Sequence, residues 1–171
     1  MRSITLLRND AGIVPLDPAQ RVAVVMVQPT DLTPAETSSY DEPELAASMQ
    51  RRFRDVSSLV VSPEPTSQEI AAAGELAADA DVVVVGTITA TRAQGALVEA
   101  LAAVAPTVAV ALRTPFDVVQ YPTIGTYLCT YSVLGPSLDA LVDVLCGQPA
   151  PGRLPVAIEG LHQRGDGIHG S

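Results

Sequence analysis

A chain of 171 residues with 19 acidic against 10 basic side chains, net charge −9, suits one domain and can bury roughly two-thirds of its unfolded surface. With no basic stripe in an acidic chain, phosphate-backbone binding is disfavoured and nucleic acid is excluded as a partner. A hydrophobic content of 47% excludes disorder, and no apolar run approaches the ~20 residues that span a bilayer.

The first stretch, Ser3-Ile-Thr-Leu-Leu-Arg-Asn9, reads as the last turns of a helix that began earlier. Asn9-Asp-Ala-Gly12 reads as a turn, and Ile13-Val-Pro-Leu16 as an apolar lead-in. Residues 1–16 are therefore taken as a linker helix end with a lead-in segment, residues 17–159 as the folded domain, and residues 160–171 as a flexible tail. Four runs rich in β-branched residues follow, at 22–27, 56–61, 82–85 and 108–112. None alternates apolar with polar, which predicts strands buried on both faces, as in a parallel sheet. Two weaker strand candidates lie at 126–130 and 154–158, and Pro155 points the second to a sheet edge.

Helical segments separate these runs. Pro43 fits a first helical position, with Leu45, Met49 and Phe53 in one stripe and Arg51, Arg52 and Arg54 at the far end. Thr66 with Glu69, and Thr91 with Gln94, match the capping box. A last helix starts near Pro136, shows Leu138, Leu141, Val142 and Leu145 on one face, and stops at Gly147. Alternation of strand and helix predicts an α/β fold: a three-layer α/β/α sandwich on a mostly parallel sheet of about five or six strands, in a flavodoxin-like arrangement.

In such a sheet ligands gather outside the carboxyl ends of the strands. No glycine-rich phosphate cradle follows the first strand, so no cofactor is expected. His162 and His169 both fall in the expected tail, so neither a metal set nor a Ser-His-Asp arrangement is assembled from the body. Cys129 and Cys146 read as free small hydrophobes. In Thr114-Pro-Phe-Asp117 the threonine caps, the proline opens a helix and the aspartate closes a capping box. Arg113 ends an apolar strand, and either a carboxylate such as Asp117 or an interdomain or ligand contact would satisfy it. Tyr131 pairs an apolar ring with a hydroxyl that needs a partner when buried.

Taken together, Ser3 to Asn9 with Ile13-Val-Pro-Leu16, and Gly147-Gln-Pro-Ala-Pro-Gly-Arg-Leu-Pro-Val156 at the far end, resemble the borders of the second, α/β-sandwich domain of family 3 glycoside hydrolases. Between them, Val108-Ala-Val-Ala-Leu-Arg-Thr-Pro-Phe-Asp117, Tyr127-Leu-Cys-Thr-Tyr131 and the helix after Pro136 resemble the β-N-acetylhexosaminidase branch, so that the likeness runs over residues 3–158. The resemblance implies that an N-terminal TIM barrel, missing from this chain, carries the nucleophilic aspartate and most sugar contacts. In the β-glucosidase branch a glutamate acid/base stands in the loop after the strand resembling 82–85. Here Thr87-Ile-Thr-Ala-Thr-Arg-Ala-Gln94 holds no carboxylate, so no proton donor carries over. This departure resembles the hexosaminidase branch, whose members use an Asp-His pair on a barrel loop.

The expectation is therefore an accessory domain of a β-N-acetylhexosaminidase-like enzyme that hydrolyses O-glycosyl bonds, inactive alone, with no catalytic residue of its own. Candidate interdomain or pocket-rim residues are Thr87, Thr89, Arg92, Arg113, Asp117 and Tyr131. Expected partners are the missing barrel, an N-acetylhexosaminide at the interdomain cleft, and a second copy as a candidate homodimer. Without a signal or membrane segment, the expected location is cytoplasmic, or secreted as part of a larger protein. The alternative is a free-standing carbohydrate-binding or protein-interaction module; an unrelated α/β enzyme ranks last.

Overall fold

The computed structural model describes residues 4–30 and 44–168. Six strands form one sheet: β1 (Thr5–Asn9), β2 (Arg21–Val27), β3 (Asp55–Val61), β4 (Val82–Thr87), β5 (Thr107–Ala111) and β6 (Thr126–Cys129). Their order is β1-β6-β5-β4-β2-β3, with β1 antiparallel to β6 and every other pair parallel. Without β1, this is the flavodoxin-like order, in which the chain reverses direction across the sheet beside β2.

The valine runs explain the layers. Successive side chains of a strand point to opposite faces. Val22, Val24, Met26, Val84 and Val110 thus meet α1 (Leu45–Gln50) and α4 (Gly135–Leu145) on one face. Ala23, Val25, Val83, Val85 and Ala109 meet α2 (Ser67–Ala78) and α3 (Arg92–Val104) on the other. A short 3-10 helix, Pro115–Gln120, makes the crossover from β5 to β6.

Pro43 lies outside the described residues. Leu45, Met49 and Phe53 are all buried in one core, although α1 ends before Phe53. Arg51 and Arg52 reach across to α4, pairing with Asp139 at 2.5 Å and Asp143 at 2.6 Å. The Thr66–Glu69 capping box is complete, and Glu69 also takes the Ser62 amide and hydroxyl at 2.7 and 2.8 Å. The Thr66 and Ser62 hydrogen bonds hold its carboxyl down to about 2. At the end of α4, Gly147 has φ +100°, the left-handed turn glycine accepts most readily.

Four expectations change. Residues 5–9 form an edge strand, not a helix end, because β6 offers a ladder of partners that a lone helical turn cannot match. Asn9 then closes the turn with its own amide, donating to the Val14 carbonyl at 2.7 Å and accepting the Val14 amide at 3.1 Å. Residues 154–158 are not a strand. Leu154 and Ile158 are buried, but the flanking residues meet β1 and its approach through isolated backbone bonds, Gly152 N–H to Ile4 O and Ile168 N–H to Leu6 O. β3 is an edge strand with only Val61 fully buried and Val60 46% exposed, so its valines do not report two covered faces. Gln94 does not return to its cap: Thr91 accepts the Gln94 amide at 3.4 Å, while the Gln94 side chain turns inward.

Residues 160–168, read from sequence as the start of a tail, carry specific bonds. Arg8 Nε donates to His162 Nε2 at 3.2 Å, and His162 Nδ1 lies 3.5 Å from an Asp166 oxygen. Burial and the nearby Arg8 charge push the His162 pKa below its ordinary value.

Candidate functional site

Among the described residues, the carboxyl edge of the sheet is built from the loops after β3, β4, β5 and β6. Its centre is a buried polar cluster. Thr87 ends β4 fully buried, and its hydroxyl donates to Asp117 Oδ2 at 2.7 Å. Thr87 Oγ1 also lies 2.8 Å from the Tyr121 hydroxyl, which donates to it while Asp117 is ionised and holds the Thr87 proton. The other Asp117 oxygen accepts the Ala90 amide at 2.9 Å and the Thr114 hydroxyl at 3.3 Å. Tyr127 donates to the Pro115 carbonyl at 2.9 Å, and its ring meets Tyr121 edge-on with centroids 6.0 Å apart.

Electrostatics follow burial. Asp117 is 2% exposed, and desolvation raises its pKa despite three hydrogen bonds and the Arg113 charge, all of which favour the anion. Tyr121 and Tyr127 are pushed well up by desolvation, Tyr121 also by Asp117. Burial raises the Cys129 thiol to about 12, so it is no nucleophile at neutral pH. With both oxygens occupied and no solvent face, the carboxylate tethers the loop after β4 to the 3-10 helix. It is not arranged to reach a substrate.

The expected rim residues therefore divide. Thr87 and Asp117 lie beneath the rim and touch each other. The capping box expected of Thr114 and Asp117 does not form: Asp117 takes the Thr114 hydroxyl, but its oxygens go to Thr87 and Ala90 and not to the backbone of the helix start. Arg113 is half-buried and donates to the Thr30 carbonyl at 3.1 Å; its charge is the weakest of the influences on Asp117. Thr89 is exposed with φ +48°, and Arg92 is exposed at the start of α3. Tyr131 is half-buried with φ +60° and donates to Thr5 Oγ1 at 3.1 Å, tying the end of β6 to β1. Two non-glycine residues in the left-handed region at one sheet edge mark held, strained loops.

Gln94 and Tyr121 are the members sequence reasoning missed. Gln94 accepts the Ile88 amide at 3.1 Å and donates to Ile88 O at 3.2 Å and Pro63 O at 3.0 Å, joining the loops after β3 and β4. Its capping-box spacing was the one visible signal, and it suggested the wrong partner. Among the described residues no group of three or more His, Cys, Asp or Glu side chains could hold a metal ion. No helix among them is long and apolar enough to cross a membrane.

Residues 4–165 match the family described as glycosyl hydrolase family 3 C-terminal domain. Among solved structures, a family 3 β-N-acetylglucosaminidase from Paenibacillus sp. str. FPU-7 is 30% identical with a TM-score of 0.76, covering 84% of this chain and 28% of its own. A fungal multi-domain β-N-acetylglucosaminidase of the same family is 23% identical with a TM-score of 0.78, covering 95% and 19%. A β-glucosidase from Listeria innocua, in complex with isofagomine, is 18% identical with a TM-score of 0.68, covering 84% and 24%. The chain thus spans only 19% to 28% of the length of these relatives. Comparison with curated proteins found no match.

Proposed function

Because this chain belongs to the C-terminal domain family of the family 3 glycosyl hydrolases, we propose that it is the accessory α/β domain of a β-N-acetylhexosaminidase-like glycosidase. Glycosidic bond cleavage falls to the part of such an enzyme lying outside this domain, and the domain's carboxyl-edge loops face that part and its sugar. One observation carries the reading: the segment from Thr87 to Gln94 has no carboxylate, and the neighbouring Asp117 is buried with both oxygens engaged. Retaining hydrolysis needs two carboxyl functions flanking the scissile bond. Supporting the branch, identity is 30% to the Paenibacillus β-N-acetylglucosaminidase against 18% to the Listeria β-glucosidase.

The test is incubation of the purified chain with 4-nitrophenyl N-acetyl-β-D-glucosaminide. No nitrophenol release above buffer is expected, and turnover that persists through repurification overturns the proposal. Calorimetric titration with N-acetylglucosamine oligomers separates the alternative: tight binding by the chain alone would make it a free-standing carbohydrate-binding module.

A further inference from the structure

Building on the accessory-domain reading, we propose that the outer face of the Pro115–Gln120 helix, led by Phe116 and Val119, docks this domain on the larger remaining part of a family 3 glycosyl hydrolase. Residues three apart in a 3-10 helix lie above one another, and Phe116 and Val119 are 49% and 52% exposed. Leu134, 55% exposed, stands at the same sheet edge in the loop after the neighbouring strand β6. Single exposed apolar side chains are ordinary and need no account. What sets these apart lies behind them.

The inner side of the same six residues is held on all sides. Val118 is buried, and Asp117 is gripped by Thr87, Ala90 and Thr114. Tyr127 grips the Pro115 carbonyl. At the far end α3 approaches so closely that a Cβ on Gly95 would stand 2.5 Å from the Gln120 oxygen. Burying a carboxylate opposes folding, and a wholly apolar packing in place of Asp117 and its partners would close the crossover with less penalty. What the network achieves is a backbone with one conformation, presenting a phenylalanine to solvent. A surface ordered beforehand loses less entropy when it associates.

The occupant follows from charge and coverage. A second copy would bring together two chains of net charge −9, which repel. In the Paenibacillus, fungal and Listeria relatives, most of the polypeptide lies outside the region this chain matches, so the matching domain shares its chain with a much larger part in each.

The experiment mixes the 171-residue chain with the separately produced portion of the Paenibacillus β-N-acetylglucosaminidase that this chain does not match. Association is followed by titration calorimetry and sedimentation velocity. Wild type should associate, Phe116→Ser with Val119→Ser should weaken association at least tenfold, and Val104→Ser should leave it unchanged. Val104 is as exposed as Phe116, at 49%, but ends α3 at the opposite sheet edge, and unchanged melting temperatures show that all variants fold. Association insensitive to the double substitution overturns the docking face and leaves the accessory-domain reading standing. No association by wild type overturns the docking face, while the accessory-domain reading stands or falls on the nitrophenol assay. A wild-type dimer abolished by the double substitution overturns the proposal in favour of self-association.

Discussion

Substituting Asp117 by alanine and by asparagine separates what its shape contributes from what its charge costs. Alanine removes the acceptor for the Ala90 amide at 2.9 Å and for the Thr87 hydroxyl at 2.7 Å. Thr87 can turn its proton to Tyr121, 2.8 Å away, but the Ala90 amide loses its partner. An orphaned buried donor costs about 1–3 kcal/mol, and the void left by the carboxyl adds to it. We expect a total of about 2–4 kcal/mol, a melting temperature lower by roughly 5–15 °C. Asparagine keeps the shape: its carbonyl takes the Ala90 amide, and its NH2 donates to Thr87. With no charge to desolvate, it should stay within about 1 kcal/mol of wild type at pH 7.

The pH dependence follows the same logic. Desolvation raises the Asp117 pKa above its ordinary 3.8, so the native state holds this proton more tightly than the unfolded chain. Stability from this group is therefore largest in acid and falls as pH rises from about 3.8 through the raised value. Urea midpoints measured across pH 3.5 to 7.5 should show this component in wild type and lose it in Asp117→Asn. An asparagine variant as weak as the alanine one would refute the reasoning, since the fold would then be using the charge itself.

Further outcomes follow from the same geometry. Gly95→Ala should destabilise by about 1–3 kcal/mol, because the added methyl meets the Gln120 backbone, which cannot step aside. Gly74→Ala, mid-helix with nothing within 4 Å, should stabilise by about 0.5–1 kcal/mol; thermal melts of the pair decide. Thr66→Ala removes the completed cap of α2 and should cost about 1 kcal/mol by urea titration. His162 should titrate below 6.5 by NMR, so the contact between β1 and residues 152–168 is full above pH 6.5 and weakens as pH falls through the lowered value. Titration at or above 6.5 would refute burial beside the Arg8 charge as the controlling influence.

The layers of this domain were legible because their causes are local. Runs such as Val82-Val-Val-Val85 favour strands covered on both faces, and the Thr66–Glu69 spacing carries its own hydrogen bonds within four residues. Gly147 likewise ends α4 through its own backbone freedom. The same reasoning overreached at β3, where equally β-branched residues lie at a sheet edge.

Where distant partners decide, local pattern pointed elsewhere. Residues 5–9 carry leucines that suit a helix or a strand, and β6, more than a hundred residues later, makes them a strand. Asp117 has a satisfactory role as a helix-start carboxylate until Thr87, thirty residues before it, takes its oxygen. Gln94 is claimed by Ile88 and Pro63 in the same way. Hydrogen bonds between buried polar groups are chosen by which loops the fold brings to one edge, and no window of sequence holds both partners. Local pattern determined strands β2 to β6 and the helices between them, and the residues themselves show no carboxylate from Thr87 to Gln94. Only the tertiary structure decided that Asp117 lies beneath that edge, holding Phe116 outward.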